Sequence, residues 1–185
     1  MPTIVSENIL TLTEYFELEK NSEIRREFIH GELIAMLGES KIANKIALNS
    51  ASTLKTVLKG KKQEVFIQDV RLMVNPTIYR YPDVVVASTE DVADTHAITQ
   101  PSLIVEVLSE STEITDRTEK LHEYCRLASL HYYLLISQVE YLVEMYRLVG
   151  TDWVYTFFDK LTDVLNLDFY PAELTLGDIY EGIAP

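Results

Sequence analysis

The chain has 185 residues, 47% of them hydrophobic and 24% charged, with a net charge of −13 and one cysteine. That size and apolar content suit a single domain with a proper core, and no apolar run approaches the ~20 residues of a membrane span. The lone Cys125 excludes an internal disulfide framework and a multi-cysteine zinc site, and MPTIVSENIL lacks the basic start and apolar block of a signal peptide, so a cytoplasmic protein is expected.

In chain order, LTEYFELEK (12–20) predicts a short helix behind a Thr11 or Thr13 cap. REFIHGELIAM (26–36) alternates on both sides of His30-Gly31 and predicts a hairpin. Residues 41–59 predict a long helix, with Ile42, Ile46, Leu54 and Leu58 among its apolar positions. EVFIQDVRLMV (64–74) and RYPDVVVAS (80–88) each predict one strand, joined across Asn75-Pro76. SLIVEVLS (102–109) is a third strand, TDRTEKLHEYCRLA (115–128) an amphipathic helix, and HYYLLIS (131–137) a fourth strand. YLVEMYRLV and DWVYTFF predict an antiparallel pair around Gly150-Thr151, and LTLGDIYEGI closes with a short helix. The central order of helix, three strands, helix and strand predicts an α/β fold with a mixed sheet and helices packed on it. No repeat or linker divides the chain, so residues 1–185 are read as one domain.

The charge is uneven. Residues 41–62 hold Lys41, Lys45, Lys55, Lys59, Lys61 and Lys62, six of the sixteen basic residues, and no acid. From residue 83 onward nineteen acids face five bases. An acidic body argues against general nucleic-acid binding, because phosphates are repelled. The basic island is open to two readings: a solvated helix face with a lysine-rich end, or a surface for phosphates.

Two acids do not suit their strands. Glu106 sits among Leu103, Ile104, Val105, Val107 and Leu108, and a buried carboxylate must be paired, protonated or metal-bound. Asp83 opens the run VVV after Pro82, either as a turn aspartate or as a second inward acid. If the two strands are neighbours, the carboxylates converge and repel unless a proton or cation lies between them. A hard divalent cation, Mg²⁺ or Mn²⁺, is the natural partner. On a helical wheel of 116–128, Lys120 falls inside the apolar arc between Leu127 and Tyr124. It must either snorkel outward or point its ammonium at the sheet acids; Asp116 at i−4 offers a competing partner. Two strand acids, a lysine on the packed helix and a basic helix nearby suit phosphodiester hydrolysis: the metal polarises a phosphate and activates water, and the ammonium orients that water.

REFIHGELIAM, YRYPDVVVAS, the segment PSLIVEVLSESTEITDRTEKLHEYCRLASLHYYLLIS and the closing LTLGDIYEGI together resemble the Uma family of putative restriction endonucleases, within the PD-(D/E)XK nuclease superfamily. The most specific piece is the acid strand followed by Ser-x-Ser-Thr, Asp116-Arg117, Lys120 and Tyr124. The resemblance implies a restriction-endonuclease-like core, with the N-terminal helix and hairpin before it and an antiparallel extension after it. It implies that Asp83 and Glu106 are metal-binding catalytic acids and that Lys120 is the catalytic lysine. The superfamily's usual lysine position, two after the second acid, is Leu108 here. Glu27 and Glu32 match two hairpin acids, with Glu32 either an auxiliary ligand or a surface residue. Lys41 stands where members often carry a histidine. The resemblance carries the expectation of a Mg²⁺- or Mn²⁺-dependent DNA endonuclease acting as a homodimer. The rival expectation is an inactive relative that binds or assembles and keeps a structural Glu106–Lys120 ion pair.

Overall fold

A computed structural model describes residues 9–20, 22–36 and 38–185; the segment read for a signal peptide lies mostly outside them. Strand β8 (Pro101–Leu108) is buried at all eight positions. A strand dry on both faces must lie inside a sheet covered on both sides. It does: β8 sits between β6 (Val84–Ser88), antiparallel to it, and β9 (Tyr132–Ser137), parallel to it. The six-stranded sheet runs β11-β10-β9-β8-β6-β3, where β3 is Gln63–Ile67, β10 is Val143–Val149 and β11 is Asp152–Phe158. The parallel step from β8 to β9 needs a crossover, and helix α3 (113–124) supplies it.

Period-two alternation sorts the sheet's side chains. Val84, Val86, Leu103, Val105 and Val107 face one core, shared with the buried stripe of α2 (Lys41–Val57), including Ala43, Ile46, Ala47 and Leu54. The hairpin β12 (Val164–Leu167) with β13 (Ala172–Thr175) and the closing turn Leu176–Ile179 pack into that same core. Val85, Ala87, Ile104 and Leu108 face the other core, with Tyr124, Tyr133 and Leu135. Asp83 and Glu106 share the parity of this second set, so both belong to the face that α3 covers.

A second sheet, β2-β1-β5-β4-β7, carries the hairpin β1 (Arg26–Ile29) and β2 (Glu32–Ala35) with β4 (Arg71–Asn75), β5 (Ile78–Arg80) and β7 (Ala97–Ile98). Helix α1 (Leu12–Lys20) packs on it through Tyr15, which stacks on Phe28 with ring centroids 5.1 Å apart. The continuous strands expected over 64–74 and 80–88 are therefore four strands. The chain leaves the large sheet at Gln68, whose φ of 47° is left-handed and ends β3. It returns across Tyr81-Pro82-Asp83, where proline removes a donor and disfavours helical backbone before it. The Gln68 N–H donates to the Asp83 carbonyl at 3.1 Å, tying the two crossings together. Asp83 is thus fixed at the junction of the sheets.

The first helix, the hairpin, the long helix and the β10–β11 pair lie where the sequence places them. Helix α3 stops at Tyr124, short of the expected 128, and its middle turn, Asp116–Lys120, is π-helical. The β12–β13 hairpin and β7 were not expected from the sequence. The hairpin β1–β2 turns at Gly31, with φ +95°, where a Cβ would run into the Ile9 side chain and lie 3.1 Å from the Leu10 carbonyl oxygen. Gly31→Ala is expected to cost about 1–3 kcal/mol, read as a lower urea midpoint; an unchanged midpoint would show that the turn relaxes freely.

Candidate active site

Glu106 is 4% exposed, and its Oε1 accepts two bonds: Lys120 Nζ at 2.9 Å and the Tyr124 hydroxyl at 3.0 Å. Lys120 therefore points inward. Its ammonium also lies 2.9 Å from Asp116 Oδ1, off the direction of a hydrogen bond, and 3.9 Å from Glu27 Oε1. Asp116 does not draw Lys120 outward, as the i,i+4 spacing allowed, because Asp116 is itself buried. The π-helical turn brings both side chains to the sheet, and the Tyr133 hydroxyl donates to the Asp116 carbonyl at 3.0 Å. Such turns insert one residue into a helix and are frequent at functional sites. Arg117, on the outer side, instead binds Glu144 and Glu113.

Asp83 accepts the Val107 N–H on Oδ2 at 2.6 Å, one residue past Glu106. The register pairs Val84 with Val105, so Asp83 comes directly across from Glu106. Burial, then the Glu106 charge and the adjoining Glu39 carboxyl, hold Asp83 well above the ordinary aspartate range, against the Val107 N–H. Burial pushes Glu106 up to about 7; Lys120 opposes this, and Asp116 and Glu27 add to it. Burial alone would lower Lys120, but Glu106, Glu27 and Asp116 together hold it well above the usual lysine value. The ammonium stays charged while Glu106 titrates near neutrality.

Arg80, 1% exposed, closes the cluster. It donates to Glu27 at 2.7 Å and to both oxygens of Glu123 at 2.9 and 2.7 Å, clamping β5 and β1 to α3. Among the described residues, Glu27, Asp83, Glu106, Asp116 and the nearly buried Glu123 gather around Arg80 and Lys120, with Glu39 beside Asp83 and Glu119 3.9 Å from Arg80. The five gathered acids and two cations hold a surplus of three negative charges when all are ionised. A cleft of about 740 Å³ is lined by Glu39, Lys41, Lys45 and Gln68 among others; Asp83, Glu106 and Lys120 do not line it, and it adjoins Asp83 only through Glu39 and Gln68. Gln68 Nε2 donates to Glu39 Oε2 at 3.1 Å, and the Ser40 hydroxyl caps α2 by accepting the Ala43 N–H.

Among the described residues, no three His, Cys, Asp or Glu side chains are arranged to enclose a metal. The donor set is a pair of carboxylates: Asp83 is bonded to the Val107 N–H and meets the Glu39 carboxyl, and Glu106 takes Lys120 and Tyr124 on one oxygen. The second oxygen of Asp83 and of Glu106 accepts no lysine, tyrosine or backbone proton among the described residues. Mg²⁺ characteristically takes one or two carboxylates and fills its octahedron with water and substrate phosphate, so the residues fit it.

A family model, Uma2, described as "Putative restriction endonuclease", matches residues 12–177. The chain belongs to the Uma2 family. It is 36% identical to the uncharacterized Synechocystis sp. protein sll1609 over 161 residues, covering 84% of this chain and 91% of that protein. It is 32% identical to slr1290 of the same organism over 178 residues, covering 95% and 93%. A crystal structure of a putative nuclease belonging to DUF820 from Anabaena variabilis superposes with a TM-score of 0.73 at 20% identity, covering 92% of this chain and 97% of that one. That likeness establishes a shared fold, α/β with mixed sheets. In this Uma2 chain Leu108, two residues past Glu106, is core, and Lys120 reaches Glu106 from the helix.

The structure brings together Asp83, Glu106, Lys120 and Glu27. It does not bring Glu32, which is exposed at the end of β2 opposite Ile29. Of the six lysines, Lys41 and Lys45 line the cleft; Lys55, Lys59, Lys61 and Lys62 lie toward or beyond the far end of α2. Sequence reasoning missed Arg80, Glu123, Glu39 and the inward role of Asp116. Arg80 carried a usable signal: like Glu106, it is a charge inside an apolar strand, IYRY.

Glu106 and Asp83, both held above their ordinary range, make stability fall as pH rises, and Glu106 has the better-defined window. Its folded pKa lies above the unfolded value, so between about pH 4.5 and 7 the folded state holds the extra proton. Raising the pH through that window favours unfolding, and the penalty is complete above about 7. In chelator-treated buffer, Glu106→Gln should gain on the wild type by on the order of 2 kcal/mol from pH 5 to 8 in urea unfolding. Parallel pH profiles for the two proteins would show that Glu106 titrates normally.

Proposed function

We propose that this Uma2 protein is a metal-dependent endonuclease acting on DNA, with Asp83 and Glu106 holding Mg²⁺ or Mn²⁺ and Lys120 beside them. The observation that carries the reading is the convergence of Asp83 and Glu106 from adjacent strands on one face, with a buried, charged lysine 2.9 Å from Glu106. The surplus negative charge of the cluster supports it, since a divalent cation offsets most of that surplus. Bound there, the metal supplies Lewis-acid polarisation of the phosphate and a lowered pKa for its water.

The protein's own residues do the rest. The Val107 N–H holds Asp83 Oδ2, leaving its other oxygen for the metal. Lys120 holds Glu106 in place and puts a positive charge where negative charge grows on the phosphate in the transition state. Tyr124 fixes Glu106 from its other side, and Arg80 keeps Glu27 and Glu123 paired so that they do not draw Lys120 away. Two copies, each cutting one strand, suit duplex cleavage.

One observation favours a second reading. Glu106 and Lys120 already satisfy each other as a buried ion pair, which a non-catalytic binding or assembly module would retain. Metal titration separates the two: a rise in melting temperature with Mn²⁺, lost in Asp83→Asn, belongs to the enzyme alone.

With Mn²⁺ and plasmid DNA, wild type should nick, and Asp83→Asn, Glu106→Gln and Lys120→Met should each lose at least about 100-fold in rate. Parallel reactions on single-stranded DNA and RNA identify the substrate, and circular dichroism melts confirm that each variant folds. Full activity in all three folded variants would remove the assigned site.

A further inference from the structure

The lysine island resolves into two groups once folded. Lys61 donates to the carbonyls of Tyr170 and Pro171, and Lys62 pairs with Glu90 at 2.8 Å. The other four lie on one side of α2 and just past its end, with Lys45 also donating to the Gly182 carbonyl at 2.9 Å. At 100° per residue, Lys41, Lys45 and Lys55 fall within an arc of about 80°, and Lys59 follows two residues past the end of the helix. Leu48 and Ser52 lie in the same arc, and all six positions are exposed. The opposite side of α2 carries Ala43, Ile46, Ala47, Ser50, Ala51 and Leu54, all buried. The stripe contains no acid, on a chain of net charge −13.

The stripe has a direction. Lys41 and Lys45 line the cleft, and the helix carries Lys55 about 21 Å further on, at 1.5 Å per residue. One strand of a nucleic-acid duplex spaces its phosphates by about 3.4 Å along the axis, so that reach spans about six nucleotides. Burial explains the inward face of α2. It does not require Lys41, Lys45 and Lys55 in register on the outward face, with Lys59 just beyond, where each adds positive charge to an otherwise acidic body.

We propose that the outer face of α2 is a track for the sugar-phosphate backbone of the substrate, running about six nucleotides from Lys41 at the cleft to Lys55, with Lys59 just past the helix end. This rests on the nuclease reading and adds to it a binding surface remote from the acids. The track selects Lys41, Lys45, Lys55 and Lys59 and leaves out Lys61 and Lys62. Because it reads phosphates alone, it favours length over sequence.

The test is binding of a labelled 20-base-pair duplex and of the matching single strand in Ca²⁺, as a function of NaCl. Lys55→Gln/Lys59→Gln is compared with wild type and with a charge-matched control, Lys20→Gln/Lys160→Gln. The expected result is at least a tenfold loss of duplex affinity at low salt, a log–log salt slope shallower by about 2, and, with Mn²⁺, a loss falling on KM. The control should match wild type. The single-strand arm shows whether the track takes one strand or a duplex. Wild type that binds while the stripe variant matches the control overturns the track and leaves the nuclease reading standing. Wild type that binds neither oligonucleotide overturns both. A stripe variant that loses salt-sensitive self-association but keeps its DNA affinity overturns the track, assigning the stripe to the acidic surface of a second copy.

Discussion

The contact of Lys120 with Glu106, at 2.9 Å inside the protein, is the interaction on which the site depends. Neither charge is tolerable there alone, because burial without a partner costs several kcal/mol per ion. Their pairing is itself held by others. Asp116 and Glu27 keep the ammonium protonated, and Arg80 offsets Glu27 while binding Glu123 on the same helix that carries Lys120. The π-helical turn is the backbone form of that constraint, since it sets Asp116 and Lys120 together against the sheet. Placing the lysine on a helix instead of two residues after the acid leaves Leu108 free to pack in the core.

The second constraint is the double crossing between sheets. The chain passes from the large sheet to the small one at Gln68 and back at Pro82-Asp83, and the Gln68 N–H joins the two points. A left-handed backbone at a non-glycine residue is uncommon and is sustained only where surrounding contacts over-determine it. Here those contacts include the Asp83 carbonyl and the Glu39 carboxylate. Asp83 thus acquires a fixed position from its backbone as well as from the Val107 N–H.

Charge organises the molecule at two scales. Within the site, carboxylates outnumber cations. Across the surface, the acidic body and the lysine face of α2 are segregated, so a polyanion meets attraction on one helix and repulsion on most other surfaces.

The sequence by itself determined the element order, the hairpin at His30-Gly31 and the identities of Asp83, Glu106 and Lys120 as charges out of keeping with their surroundings. Local periodicity and local mismatch suffice for these, because each is a statement about a residue and its near neighbours. Only the tertiary structure decided that 64–74 and 80–88 are each two strands in different sheets, because the break arises from long-range pairing of β3 with β6 and β5 with β1. It alone settled that Lys120 turns inward with Asp116, since a regular wheel cannot represent a π-helical turn. Arg80, Glu123 and Glu39 enter the site from segments 43 or more residues from one partner or another, a convergence that sequence spacing does not encode. Glu32 matches the family pattern yet stays at the surface, because its strand ends in solvent.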